Sequence, residues 1–153
     1  MCGFEFRDAK GSTAVKELAS QIQELEEKKQ KQAAKSNILS AFMPKEDFSA
    51  QEIELIRNFS IPNTKEDIYE FVILATSNIN PDSYQNKNVD PLSSAWMAKA
   101  EQAYHKAEIT FGDDPDFENV RNVYNRKMKA VKSSTRIQYL IAIGGLLFLL
   151  LFL

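Results

Sequence analysis

The last seventeen residues, 137–153, read IQYLIAIGGLLFLLLFL. Their only polar side chains are Gln138 and the Tyr139 hydroxyl, both at the amino-terminal edge. A helix made of this run is apolar on every face, and the rest of a 153-residue chain is too small to enclose it as a core helix. Seventeen helical residues extend about 25 Å, close to the lower limit for crossing a hydrocarbon core. The sequence therefore predicts a transmembrane tail over 133–153. Tyr139 suits the interfacial belt, and Leu140, Ile141, Ile143, Leu146, Leu147, Phe148 and Leu149 form the anchor. Its carboxyl-terminal position excludes a cleaved signal peptide, and no prenylation motif closes the chain. The chain stops inside the apolar run, which fits either a tail anchor reaching the far headgroups or a piece of a longer protein. Gly144 and Gly145 offer a place for close helix contact within the bilayer.

Charge is distributed in step with this tail. The chain carries 19 Lys and Arg against 21 Asp and Glu. After Glu118 no acidic residue occurs, while six cations follow: Arg121, Arg126, Lys127, Lys129, Lys132 and Arg136. The remainder of the chain thus holds thirteen cations and twenty-one acids. A basic collar next to an apolar helix is the expected signature of a cytoplasmic body. Arg126, Lys127, Lys129, Lys132 and Arg136 are the membrane-proximal candidates, able to meet anionic headgroups. A net charge of −2 argues against a nucleic-acid binder.

Ahead of the tail the punctuation is helical. Between Gly11 and Gly144 the only glycine is Gly112, fewer than the turns of a sheet protein require. Pro44, Pro62, Pro81, Pro91 and Pro115 each separate periodic segments. The expected fold is all-α: a short extension over 1–11, a charged amphipathic helix over 12–36, a helical body over 37–132 with an α-hairpin, then the tail. In the first helix Val15, Leu18, Ile22 and Leu25 repeat at spacings of three, four and three. That stripe either packs on the body or self-associates as a short coiled coil. Ser49 with Glu52 reads as a capping box for a second helix ending before Pro62, with Phe48 and Ile53 as its hydrophobic staple. Asn63 with Glu66 reads as another box, opening a helix that runs to about Asn78, and 78–91 reads as loop. Asp90, or one of Ser93 and Ser94, caps a fourth helix that carries Trp96, Ala100, Ala103, Tyr104, Ala107 and Phe111. Gly112 is expected in a left-handed conformation at its end. Asp114 and Pro115 then open a fifth helix, with Phe117, Val120, Tyr124, Met128 and Val131 in register and packed against the small alanines of the fourth.

Catalytic chemistry has little to stand on. His105 is the only imidazole, and neither Ser nor Cys lies at helical spacing to it. Asp113, Asp114 and Asp116 crowd one turn, but the calcium-loop spacing and its closing Glu are absent, so capping explains them better. No phosphate-binding glycine loop occurs. Cys2 is the only cysteine, which excludes an internal disulfide.

The stretch Met1-Cys2-Gly3-Phe4-Glu5-Phe6 resembles the closing knuckle of a zinc ribbon. With the stretches FSIPNTKEDIYEFVILATSNIN (59–80) and FGDDPDF (111–117), the layout resembles uncharacterised bacterial membrane-anchored proteins with an amino-terminal zinc ribbon. The knuckle here lacks its other ligands, and one Cys with one His cannot complete a structural zinc site, so no cofactor or metal is expected. The resemblance implies a bacterial membrane protein and no known activity.

The expected function is non-enzymatic: a single-pass, membrane-anchored interaction or adaptor protein with a cytoplasmic helical body. Its partners would be the lipid bilayer and a protein not identifiable from the sequence. Two alternatives belong to other classes. One is an oligomeric membrane assembly or pore component joined through Val15, Leu18, Ile22 and Leu25. The other is a zinc-ribbon regulator, if ligands precede Met1.

Overall fold

The computed structural model describes residues 13–34, 47–85 and 89–152, with side chains of the last helix described as far as residue 134. Those residues form five α-helices and one 3₁₀ turn, and no strand occurs among them. The helices are α1 (Thr13–Ala34), α2 (Phe48–Asn58), α3 (Lys65–Ser77), α4 (Pro91–Phe111) and α5 (Phe117–Phe152), with the 3₁₀ turn at Pro81–Gln85.

Each start has a local cause. Asp47 caps α2, its carboxylate accepting from the Ala50 N–H at 3.0 Å. The cap thus lies two residues before the predicted Ser49 cap. Glu52, needed for the predicted box, points away to a partner on α1. At α3, Thr64 occupies the cap position without a side-chain bond, and Glu66 and Asp67 compensate the dipole in the first turn. The predicted Asn63 box is replaced by a tertiary contact, in which the Lys106 ammonium donates to the Asn63 side chain. Asp90 caps α4 as expected, its carboxylate accepting from Ser93 N–H at 3.1 Å, with Pro91 in the first turn. Gly112 differs from expectation. It has φ −60° and ψ −28°, in the right-handed region, because the chain turns directly into the next helix instead of leaving in a left-handed cap. A side chain is excluded there for a different reason: a Cβ at Gly112 would collide with the Glu108 carbonyl oxygen.

The core gathers around α3 and α4, which share the largest helix–helix interface. Phe71 and Val72 of α3 meet Trp96, Ala100, Ala103 and Ala107 of α4, all at most 1 % exposed. Burying a side chain of the Phe or Trp class contributes roughly 1.5–3 kcal/mol or more from the hydrophobic effect alone. α4 packs more extensively on α3 than on α5. Between α4 and α5, Tyr104 stacks on Tyr124 with ring centroids 4.0 Å apart and also contacts Phe117, so aromatic rings fill that interface. Burial raises the phenol pKa of both tyrosines above the ordinary value.

Three lysines tie the connections down. Lys99 Nζ donates to the Phe59 carbonyl at 2.7 Å, and Lys106 Nζ to the Ile61 carbonyl at 3.2 Å, so α4 holds the link between α2 and α3. Lys127 Nζ of α5 donates to the Ser77 and Ile79 carbonyls at 3.3 and 3.0 Å, at the carboxyl end of α3. A cation there complements the helix dipole and fills carbonyls that the helix leaves open.

Candidate membrane-proximal site

The site is built on α5. Its buried register is the predicted one: Phe117, Val120 and Val131 are buried, and Tyr124 and Met128 are packed against the core. The backbone then remains helical to Phe152, so the helix that seats the body continues without interruption through residues 137–152. Among the described residues no helix is long and apolar enough to cross a membrane. Tyr139, Leu140, Ile141, Ile143, Leu146, Leu147, Phe148 and Leu149 fall outside the described side chains, as does Arg136.

The predicted basic collar divides into two groups. Arg121 is held by its own helix and Lys127 by the body. Arg121 pairs with Glu118 at 2.7 Å and lies 4.9 Å from the centre of the Phe117 ring. Lys127 holds the end of α3 as described, a role the sequence does not signal because its carbonyl partners lie about fifty residues away. Arg126, Lys129 and Lys132 are exposed, and none is drawn into an ion pair among the described residues.

The opposite end of α5 is acidic. Asp113, Asp116 and Glu118 are exposed around the α4–α5 turn. Lys65, from the start of α3, pairs with Asp114 and with Asp116 (2.9 Å to the latter). The Lys65 ammonium holds the Asp114 carboxyl below the usual carboxylate range, and both carboxylates raise the Lys65 pKa. Asp114 also accepts from Lys65 while the Asp116 N–H is satisfied by the Asp114 carboxylate at 2.9 Å, a turn-closing bond. Asp114 and Asp116 thus act in the turn and in a clasp between α3 and the α4–α5 hairpin. No group of three metal-ligating side chains occurs among the described residues, and Cys2 lies outside them.

His105 is exposed on α4, its Nδ1 lying 3.8 Å from the Glu108 carboxylate. Val15, Leu18, Ile22 and Leu25 are buried within the single chain, at 4–8 % exposure, where α1 packs on α2 and α3. The stripe that would have formed a seam between copies is covered by the chain's own body. Either side of α1 remains an open groove of about 450 Å³. One runs along α2 and is lined by Leu25, Leu55, Glu24, Glu54, Lys28 and Gln51 among others. The other runs along α3 and is lined by Ile22, Leu74, Glu26, Glu27 and Asn78 among others. Both have an apolar floor and charged or amide rims.

Compared with protein-family models, curated proteins and solved structures, the chain gives no match.

Proposed function

We propose that this chain is a non-enzymatic, membrane-anchored adaptor whose helical body is held at the cytoplasmic face by residues 137–153. The observation that carries the reading is the continuity of α5: the helix that seats Phe117 and Val120 in the core remains helical as far as Phe152. A rigid helix shared by body and anchor fixes the body close to the bilayer, so the mechanism is placement rather than chemistry. The grooves flanking α1 supply the binding surface for a protein partner, with Leu25 and Leu55 in one floor and Ile22 and Leu74 in the other. The basic side of α5 after Glu118 supports a cytoplasmic orientation.

Extraction of membranes with alkaline carbonate tests the anchor. The full chain should stay with the membrane pellet and float with vesicles on a density gradient. Quantitative release into the carbonate supernatant would remove the anchor from the reading.

A further inference from the structure

We propose that Arg126, Lys129 and Lys132 form a stripe that binds anionic lipid headgroups and orients the body with its acidic turn away from the bilayer. This rests on the reading that 137–153 spans the membrane. The three cations are spaced by three residues, so successive side chains step about 60° around the helix and the set covers roughly a third of its circumference. All three are exposed, whereas Lys127 of the same helix is held by the Ser77 and Ile79 carbonyls and Arg121 is paired with Glu118 one turn before it. In the sequence Arg136 follows Lys132 by four residues, and no acid lies between Glu118 and the apolar run.

Distance along the axis decides which charges a leaflet can feel. At 1.5 Å per residue Lys132, Lys129 and Arg126 lie about 7, 12 and 16 Å from residue 137 along α5. The Debye length is about 8 Å at physiological salt. Lys132 lies within that distance of an anionic surface if α5 stands upright, and Lys129 and Arg126 approach it when α5 leans toward the stripe. The lean is favoured only by a negative leaflet, because attraction of a cation near such a surface changes binding about fivefold per charge. Glu118, near the start of α5 and about 28 Å from residue 137 along the helix, is repelled by the same surface, as are Asp113 and Asp116 in the turn before it. A nucleic acid is the poorer occupant, since the stripe offers few cations for phosphate contacts.

The test uses the full chain in vesicles of pure phosphatidylcholine and in vesicles with about a third phosphatidylserine, a content in the range that gives a strong surface potential. Amine acetylation followed by mass spectrometry reads Lys129 and Lys132 against Lys16, which is exposed on α1. Acetylation of Lys129 and Lys132 should fall about fivefold in phosphatidylserine vesicles relative to Lys16, and the protection should vanish in high salt. Flotation with both vesicle types together with equal labelling in both overturns the stripe and leaves the anchor standing. Failure to float with either overturns the anchor, and the stripe with it.

Discussion

Glu52 sits at 2 % exposure under α1, where the Lys29 ammonium pairs with its carboxylate. A carboxylate that has left water needs such a partner, because a buried polar group without one loses its hydration and gains nothing in return. Lys29 is itself 28 % exposed, so the pair is half in solvent and its attraction is moderated. The consequence is an asymmetry between variants. Lys29→Met should destabilise the chain by about 1–3 kcal/mol, because it strands the carboxylate. Adding Glu52→Leu should recover most of the loss, because two apolar groups replace both members of the pair. Urea unfolding of both variants checks this, and a double variant weaker than Lys29→Met would show that the pair does more than satisfy its own burial. Thr76 offers a contrast on α3. Its hydroxyl is fully buried and finds no partner among the described residues, so replacement by an apolar side chain of similar size removes no hydrogen bond to them.

Among elements, the α3 start and the α4–α5 turn are joined by Lys65 with Asp114 and Asp116. Asp114 titrates below the usual carboxylate range through Lys65, so its contribution to stability is complete above the unfolded value near 3.9 and disappears as pH falls through the lower folded value. Lys65 titrates above its ordinary value through both carboxylates, so its share is complete below about 10.4 and is lost as pH rises through the higher folded value. Asp114→Asn should therefore melt earlier than the parent from about pH 5 to 10, by the small amount a solvent-screened pair contributes, and the difference should close toward pH 2. Thermal melts across that range decide it, and a gap that persists at pH 2 would assign the effect to the turn backbone instead.

The same elements show what local sequence reveals. The Asp90–Pro91 start of α4 was legible because a cap and a first-turn proline act within three residues. The register of α5 was legible for the same reason, since a periodic apolar face needs no knowledge of its partner. The α2 cap was misread because Glu52 answers to Lys29, twenty-three residues away, rather than to the Ser49 backbone. Nothing in the local sequence singles out Lys99, Lys106 or Lys127 for such a role, because only the fold places the carbonyls of Phe59, Ile61 and Ile79 beneath them. Of the candidate site, the collar was legible as a composition. Its division into body-bound and outward cations was not, because that depends on where α3 ends.

At the scale of the whole molecule, α5 in the proposed membrane arrangement is a mast with exposed acids around its start and the outward cations Arg126, Lys129 and Lys132 nearer the apolar run. If body and anchor share one rigid helix, the height of any residue on α5 above the bilayer follows from its position, at 1.5 Å per residue. Residue 117, where α5 begins, then stands about 30 Å above residue 137, with Asp113 in the turn just before it, while residue 129 stands about 12 Å above it. Fluorescent labels at Asp113→Cys and at Lys129→Cys, each with Cys2→Ser, convert this into a measurement with a quencher attached to lipid headgroups. The label at 129 should be quenched strongly and the label at 113 scarcely at all. Ser133, Ser134 and Thr135 are the residues where a bend would act, because side-chain hydroxyls compete for helix carbonyls, as Ser133 already does by donating to Ala130 at 2.8 Å. A hinge there would let the body lie flat, and the two labels would then be quenched alike. Equal quenching would thus replace the mast by a tethered body, in which the anchor sets proximity but not orientation.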